Sequence, residues 1–212
     1  LIYGLISALV GARLYYVIFS FSNYVNNPAE IFAIWHGGLA IHGALIGGIL
    51  STAIYTNRHS INFWYWADLI IPSVILGQAI GRWGNYMNQE AFGSPTSLPW
   101  GIYISAPHRP AELAQYTHFH PTFFYESVWN LVGFGFLIYL SHRQKLHPKA
   151  WPAGSILLAY GIYYSFGRGL IEGLRTDSLM LGSIRVAQLI SVIIIIVCVS
   201  LMYNWRSKSL SG

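Results

Sequence analysis

The chain contains six apolar segments, most of them close to the roughly 20 residues that a helix needs to cross a bilayer. They lie at about 1–19, 31–55, 67–81, 122–140, 152–173 and 185–204. Only 9% of the 212 residues are charged, whereas a soluble domain carries roughly a quarter. This composition excludes an ordinary soluble protein. We therefore predict an all-α fold, a polytopic transmembrane helix bundle, in a single membrane-embedded domain that covers residues 1–212.

Glycines four residues apart occur in three of these segments, as the pairs Gly43/Gly47, Gly77/Gly81 and Gly169/Gly173. Small residues at this spacing let helix backbones approach closely within a membrane. The pattern predicts a compact bundle.

The connections between the segments differ in charge from one side of the bundle to the other. One side receives 56–66, 141–151 and 205–212, where all the charged residues are Lys or Arg. The other side receives 20–30, 82–121 and 174–184, where acidic residues accompany the arginines. Because cytoplasmic loops are enriched in Lys and Arg, we expect the C-terminus in the cytoplasm. The long segment 82–121 then faces outward.

The remaining composition limits the possible partners and cofactors. The basic residues are scattered among apolar segments rather than gathered on one polar face, which argues against nucleic-acid binding. The single cysteine, Cys198, lies in an apolar run and can form neither an internal disulfide nor a zinc site. We expect no metal and no cofactor.

Two histidines, His36 and His42, fall inside the second apolar segment. A histidine in such a place is more often a hydrogen-bonded packing residue than a catalyst. Glycines on both sides of His42, at Gly38 and Gly43, nevertheless leave room for a ligand.

The sequence GRWGNYMNQEAFG follows the third segment. Arg82 and Asn85 are three residues apart, so they share one face if the helix continues. An Arg with amide donors at a membrane boundary can hold a phosphate. Extension of Arg82 to the head-group layer without a ligand is the alternative.

Two further groups of polar residues lie at the outward ends of the fourth and fifth segments. Pro121 suits a helix start, which brings Glu126 into the membrane, and we expect an Arg to pair with it there in a structural or a direct role. Tyr164, Arg168, Glu172 and Arg175 share one helical face. Glu172 can neutralise one guanidinium and leave another for an anion, unless the row is only a structural salt-bridge ladder. These groups indicate an enzyme or binder that acts on a phospholipid near the outer face.

Four sequences, HGGLAIHGALIGG, GRWGNYMNQEAFG, HPTFFYES and GRGLIEGLRTD, occur in this order. Together they resemble the bacterial prolipoprotein diacylglyceryl transferase family, and the resemblance runs from about residue 11 to about residue 200. Members have seven transmembrane helices, with the C-terminus in the cytoplasm. Six segments here agree with that topology if the first family helix is missing from this chain.

The resemblance implies a reaction in the bacterial plasma membrane. The family transfers the sn-1,2-diacylglyceryl group of phosphatidylglycerol to the lipobox cysteine in the signal peptide of a prolipoprotein, and releases glycerol 1-phosphate. By position, His42 matches a histidine proposed as a base, and Arg82 an arginine that binds phosphatidylglycerol. The other matched positions are Asn85, Glu90, Gly93, Tyr164, Arg168 and Glu172, and we add Arg175 as a substrate-binding candidate.

This chemistry leads to a hypothesis about roles. Arg82 and Arg168 clamp the phosphate, on which negative charge grows as the glycerol carbon is attacked. His42 receives the thiol proton or orders the head group, and Glu172 orients Arg168. The alternative function is a phospholipid-binding protein or an ion-coupled transporter, although no internal repeat is visible.

Overall fold

The structure is a computed structural model that describes residues 2–211. Within these residues the chain forms six α-helices and two short antiparallel hairpins. The helices are α1 Ile2–Phe19, α2 Ile41–Arg58, α3 Phe63–Met87, α4 Thr122–Leu146, α5 Ser155–Glu172 and α6 Val186–Ser211. The chain divides into two compact units, the first ending at Trp66 and the second beginning at Ala67. The predicted all-α bundle is confirmed.

In the first unit, α1 and α2 pack closely through glycines. A Cβ atom on Gly43 would collide with the carbonyl oxygen of Gly11, and one on Gly47 with that of Ser7. The predicted close approach is confirmed for this pair. It is wrong for Gly77 and Gly81, whose Cβ positions have no neighbour within 4 Å in the second unit.

The Gly169/Gly173 pair does not bring helices close together either. A Cβ atom on Gly169 would make only an ordinary contact, 3.8 Å from Ser191 Cβ. The nearest atom to such a Cβ on Gly173 is the carbonyl oxygen of Leu170, at 3.1 Å, in the preceding turn of the chain.

The second predicted segment begins as turns rather than as a helix. Two 3-10 turns, Pro28–Phe32 and Ile34–His36, precede α2. The guanidinium of buried Arg13 in α1 holds them, because it donates to the carbonyl oxygens of Glu30, Ile31, Gly37 and Gly38 at 2.5, 2.8, 2.6 and 2.9 Å. His36 therefore lies outside the helix, contrary to our expectation.

In the second unit, α3, α4 and α5 surround an apolar core formed by Ile71, Ile75, Leu137, Leu140, Ile156 and Ala159. At one end of this core, the buried carboxylate of Asp68 accepts hydrogen bonds from the backbone N–H groups of Gly154 and Leu157 at 2.7 and 2.9 Å. Gln144 of α4 donates to the same carboxylate at 2.6 Å. Because these N–H groups belong to the start of α5, Asp68 caps that helix from α3.

Helix α3 is longer than predicted and continues to Met87. The segment that we expected to begin as a loop at residue 82 therefore starts as helix and leaves it after residue 87. Trp83 accounts for part of this extension, since its Nε1–H donates to Ser127 Oγ at 3.2 Å and its ring contacts Phe123 of α4.

The rest of the long segment folds around a small core of its own, made of Phe92, Ile104 and Phe119. Strands β1 Ile102–Tyr103 and β2 His118–Phe119 pair across it. A second hairpin, β3 Met180–Leu181 with β4 Ile184–Arg185, joins α5 to α6.

Four helices, α1, α3, α4 and α6, are long and apolar enough to cross a membrane. In α6 the run around Ile193 and Ile196 exposes apolar side chains, by 52% and 60% for these two residues. Apolar surface of this extent suits contact with lipid. Helices α2 and α5 have the same length as α1 but are less apolar, and they stay predicted spans.

Candidate functional site

Three arginines converge on one carboxylate in the second unit. Glu126, buried in the second turn of α4, receives Arg82 from α3 at 2.5 Å and Arg168 from α5 at 3.0 Å. Arg175, just beyond α5, lies 3.5 Å from the same carboxylate. The structure therefore brings together the two predicted phosphate-binding arginines, and it confirms that Glu126 pairs with an Arg.

Two further carboxylates complete this arginine cluster. Glu172 contacts Arg168 at 2.6 Å across one helical turn, as the spacing predicted. Asp177 holds the Arg175 guanidinium through two contacts, of 2.9 and 2.7 Å. Burial alone raises the pKa of Asp177, but the hydrogen bond and the charge of Arg175 outweigh it and hold that pKa below 3.8.

We expected Glu172 to neutralise one guanidinium and leave another for an anion. In the structure Arg82, Arg168 and Arg175 each contact at least one carboxylate. These contacts use only part of the five N–H donors of each guanidinium. The Arg82 and Arg168 side chains are 22% and 21% exposed, so they can still meet an anion.

A chain of amides extends the cluster along the end of α3. Arg82 donates to Asn85 Oδ1 at 3.4 Å, and Asn85 Nδ2 donates to Glu90 Oε1 at 3.0 Å. Asn88 Nδ2 also donates to this Glu90 oxygen, at 3.2 Å. The predicted positions Asn85 and Glu90 thus belong to the same network as Arg82.

Gly93 acts through its backbone. It forms an antiparallel bridge with Arg175, while its N–H donates to the carbonyl oxygen of His120 at 2.9 Å. A Cβ atom here would lie 2.7 Å from His120 Cβ and 3.0 Å from Thr122 Cγ2. Only glycine fits where the Gly93 backbone passes this close to His120 and Thr122. The bridge formed there holds the backbone of Arg175 in place.

Tyr164 lies on α5 one turn before Arg168, and its ring stacks on Tyr160 with centroids 5.6 Å apart. It lines a small cavity together with Arg168 and Glu126. Tyr164 therefore belongs to the surroundings of the arginine cluster, as the shared helical face predicted.

His42 belongs to the first unit. It lies in the first turn of α2, is exposed, and its imidazole stacks on Tyr15 with centroids 5.8 Å apart. Its role stays a prediction.

Two ionisable residues have structural roles that the sequence did not predict. Asp177 holds Arg175 in the cluster, and Arg13 holds the turns before α2 in the first unit. A single ionisable residue inside an otherwise apolar segment was the available signal for Arg13, because such residues are costly unless they are paired. For Asp177 the signal was its position two residues after Arg175.

The sequence matches the model of the prolipoprotein diacylglyceryl transferase family over residues 1–204. A relative from Trichormus variabilis, named phosphatidylglycerol–prolipoprotein diacylglyceryl transferase, is 52% identical over 90% of this chain and 68% of its own length. Relatives of the same name from Synechocystis and Chloroflexus aggregans are 51% and 46% identical. They align with 92% and 100% of this chain, and with 69% and 75% of their own lengths. The chain therefore belongs to the prolipoprotein diacylglyceryl transferase family.

Proposed function

We propose that the protein transfers the sn-1,2-diacylglyceryl group of phosphatidylglycerol to the thiol of a lipobox cysteine in a prolipoprotein. The observation that carries this proposal is the meeting of Arg82 and Arg168, far apart in sequence, at the carboxylate of Glu126. The names of the relatives supply the two substrates. The cluster supplies a place for the anionic part of the lipid.

The reaction is a substitution at carbon. The substrate thiol loses its proton to a base, and the thiolate sulfur attacks the glycerol carbon that bears the phosphate. A C–S bond forms as the C–O bond breaks, and the electron pair of that bond leaves on the phosphate oxygen. The products are a thioether and glycerol 1-phosphate.

The arginines act on the leaving group. Charge grows on the phosphate as the C–O bond breaks, and fixed guanidinium groups in a poorly hydrated site stabilise that growth. Arg82 and Arg168 clamp the phosphate through the donors that their carboxylate partners leave available. Glu126 and Glu172 hold the two side chains in position. Asn85 and Glu90 support the cluster on the side of α3, and Gly93 supports it through Arg175.

His42 takes one of two roles, since it either receives the thiol proton or orders the lipid head group. Its exposed ring in the first turn of α2 is compatible with both. Comparing the pH dependence of transfer for the wild type and His42→Gln separates them. If His42 is the base, the wild-type rate rises with pH and His42→Gln loses that rise. If His42 binds the head group, His42→Gln has a higher KM for lipid and the pH profile of the wild type.

The proposal includes a location, a multi-pass position in the bacterial plasma membrane with the site toward the outer leaflet. Its support is a charge difference between the two ends of the second unit. Arg206 of α6 lies 5.3 Å from the ring of Trp151, in the α4–α5 connection. That end also carries Arg143, Lys145 and Lys149, which the positive-inside rule assigns to the cytoplasm.

A transfer assay read by mass spectrometry tests the function. Purified protein in detergent is mixed with phosphatidylglycerol and a peptide that carries a lipobox cysteine. We expect a diacylglyceryl mass gain on that cysteine with release of glycerol phosphate, and we expect loss of both in Arg82→Ala.

Arg143→Ala is the matched control, because it removes an exposed Arg from the other end of α4. It should transfer at the wild-type rate. Absence of any mass gain with the wild-type protein would leave a lipid-binding or transport role, and full activity of Arg82→Ala would refute the clamp.

A further inference from the structure

A small cavity lies between α4 and α5, beside the arginine cluster. Its lining includes Glu126, Asn130, Tyr164 and Arg168 as polar residues, with Trp129 and Ile171 as apolar walls. It has room for about one water-sized group. The cavity therefore suits a single polar atom rather than a whole phosphate.

Asn130 is the unexplained residue of this cavity. It is 2% exposed, and its Nδ2 donates to no atom of residues 2–211. A buried donor without an acceptor lowers stability, so such groups usually meet an acceptor from a bound water or a ligand. The amide therefore has a hydrogen bond to offer to an acceptor that enters the cavity.

The position of Asn130 relative to the arginines indicates which acceptor this is. Asn130 follows Glu126 by one turn of α4, and Tyr164 precedes Arg168 by one turn of α5. Asn130 and Tyr164 therefore lie about 6 Å further along their helices than Glu126 and Arg168 do, away from the helix ends that carry the cluster. The head-group layer of a leaflet is about 5–7 Å thick, so this step leads from the phosphate of a phospholipid to its ester carbonyls.

We propose that Asn130 binds an ester carbonyl oxygen of the diacylglyceryl group, so that the site recognises acyl esters as well as the phosphate. The inference rests on the proposed function and names a further substrate contact. An ester carbonyl only accepts hydrogen bonds, as the amide requires, and only its oxygen has to enter a cavity of this size. An ether-linked lipid has no such carbonyl but reacts at the same glycerol carbon.

The test compares diacyl and dialkyl phosphatidylglycerol of equal chain length. For each lipid, kcat/KM of transfer and equilibrium binding by native mass spectrometry are measured on the wild type and on Asn130→Leu, which keeps the size of the side chain without its donors. One hydrogen bond corresponds to roughly a two- to tenfold preference for the diacyl lipid. We expect that preference in the wild type and its loss in Asn130→Leu, with dialkyl values unchanged.

Two further variants separate the loss of the hydrogen bond from a disturbance of packing. Asn130→Ala repeats the measurement with a smaller side chain, in case Leu disturbs the packing. Ser127→Ala is the matched control, since Ser127 is a buried polar residue of α4 that donates to the carbonyl oxygen of Ala79 at 2.9 Å. It should keep the wild-type preference even if the protein becomes less stable.

Equal losses for both lipids in the Asn130 variants would overturn the proposal, because they indicate a packing role. Equal use of the two lipids by the wild type would overturn it too. If the wild type transfers neither lipid, the proposed function fails, and the binding ratio of the same two lipids still decides the present inference.

Discussion

Replacing Glu126 with Gln tests how the arginine cluster is held together. The substitution keeps the shape of the side chain but removes the charge that Arg82, Arg168 and Arg175 share. Arg168 retains Glu172, and Arg175 retains Asp177. Arg82 has no other carboxylate partner within residues 2–211, so it carries most of the effect.

The loss of the Arg82–Glu126 ion pair sets the size of the effect on stability. Breaking a fully buried ion pair costs about 3–5 kcal/mol. Glu126 is 5% exposed, but Arg82 is 22% exposed and its charge is partly screened. We therefore expect a loss of about 2–3 kcal/mol in stability, and a fall of roughly 5–10 °C in the thermal midpoint in detergent.

Turnover should fall more than lipid binding. A guanidinium displaced by about 1 Å can lower a rate about 100-fold, whereas the added net positive charge favours an anionic lipid. We expect kcat in the peptide transfer assay to fall roughly 100-fold, with KM for phosphatidylglycerol unchanged or lower. Glu112→Gln, which removes an exposed carboxylate from the 3-10 turn Ala111–Leu113, is the control for net charge. Wild-type kcat and an unchanged midpoint in Glu126→Gln would refute the reasoning.

Three further substitutions test other parts of the second unit. Asp68→Asn should lower stability by about 2 kcal/mol. The kcat per folded molecule should stay unchanged, because the α5 cap lies about 20 Å from Arg168 along the helix, and a fall in that kcat would contradict this. Gly93→Ala should reduce transfer at least tenfold by displacing Arg175, whereas wild-type activity would show that the crossing tolerates a methyl group. Asp177→Asn should cost at most about 1 kcal/mol at pH 7, since Asp177 is half exposed. Because the pKa of Asp177 is lowered, that contribution is complete at neutral pH and is lost as the pH falls below 3.8 and through the lowered pKa. Thermal midpoints of variant and wild type should therefore converge as the pH falls through that range, and a constant difference would exclude the mechanism.

Local sequence spacing predicted part of the site correctly. The pair Arg168 and Glu172 could be foreseen because residues four apart meet on a helix. The pairing of Glu126 with an Arg followed from the cost of a charge inside a membrane. Convergence of three arginines on this one carboxylate could not be foreseen, because it depends on how α3, α4 and α5 pack.

The boundary errors also have physical causes. Gly81 and Gly84 made the end of α3 resemble a turn, since glycine costs roughly 1 kcal/mol in a helix. Contacts of Trp83 with α4 accompany the longer helix. The apolar run before α2 resembled a helix, but Arg13 binds the carbonyl oxygens of the turns that replace it. Arg13 binds backbone carbonyl groups and Asp68 accepts from backbone N–H groups, and because every residue carries such groups they give no sequence signal, so neither role was predictable.

The balance of charge in the arginine cluster affects how fast the enzyme can turn over. Three guanidiniums meet three carboxylates there in direct ion pairs, those of Glu126, Glu172 and Asp177, so the formal charges of these six groups balance. In the proposed reaction the lipid is a phosphodiester with one negative charge, and glycerol phosphate departs as a monoester with up to two. A site with surplus positive charge would hold this product more tightly than the substrate. The carboxylates limit that attraction, so the residues that position the arginines also favour product release.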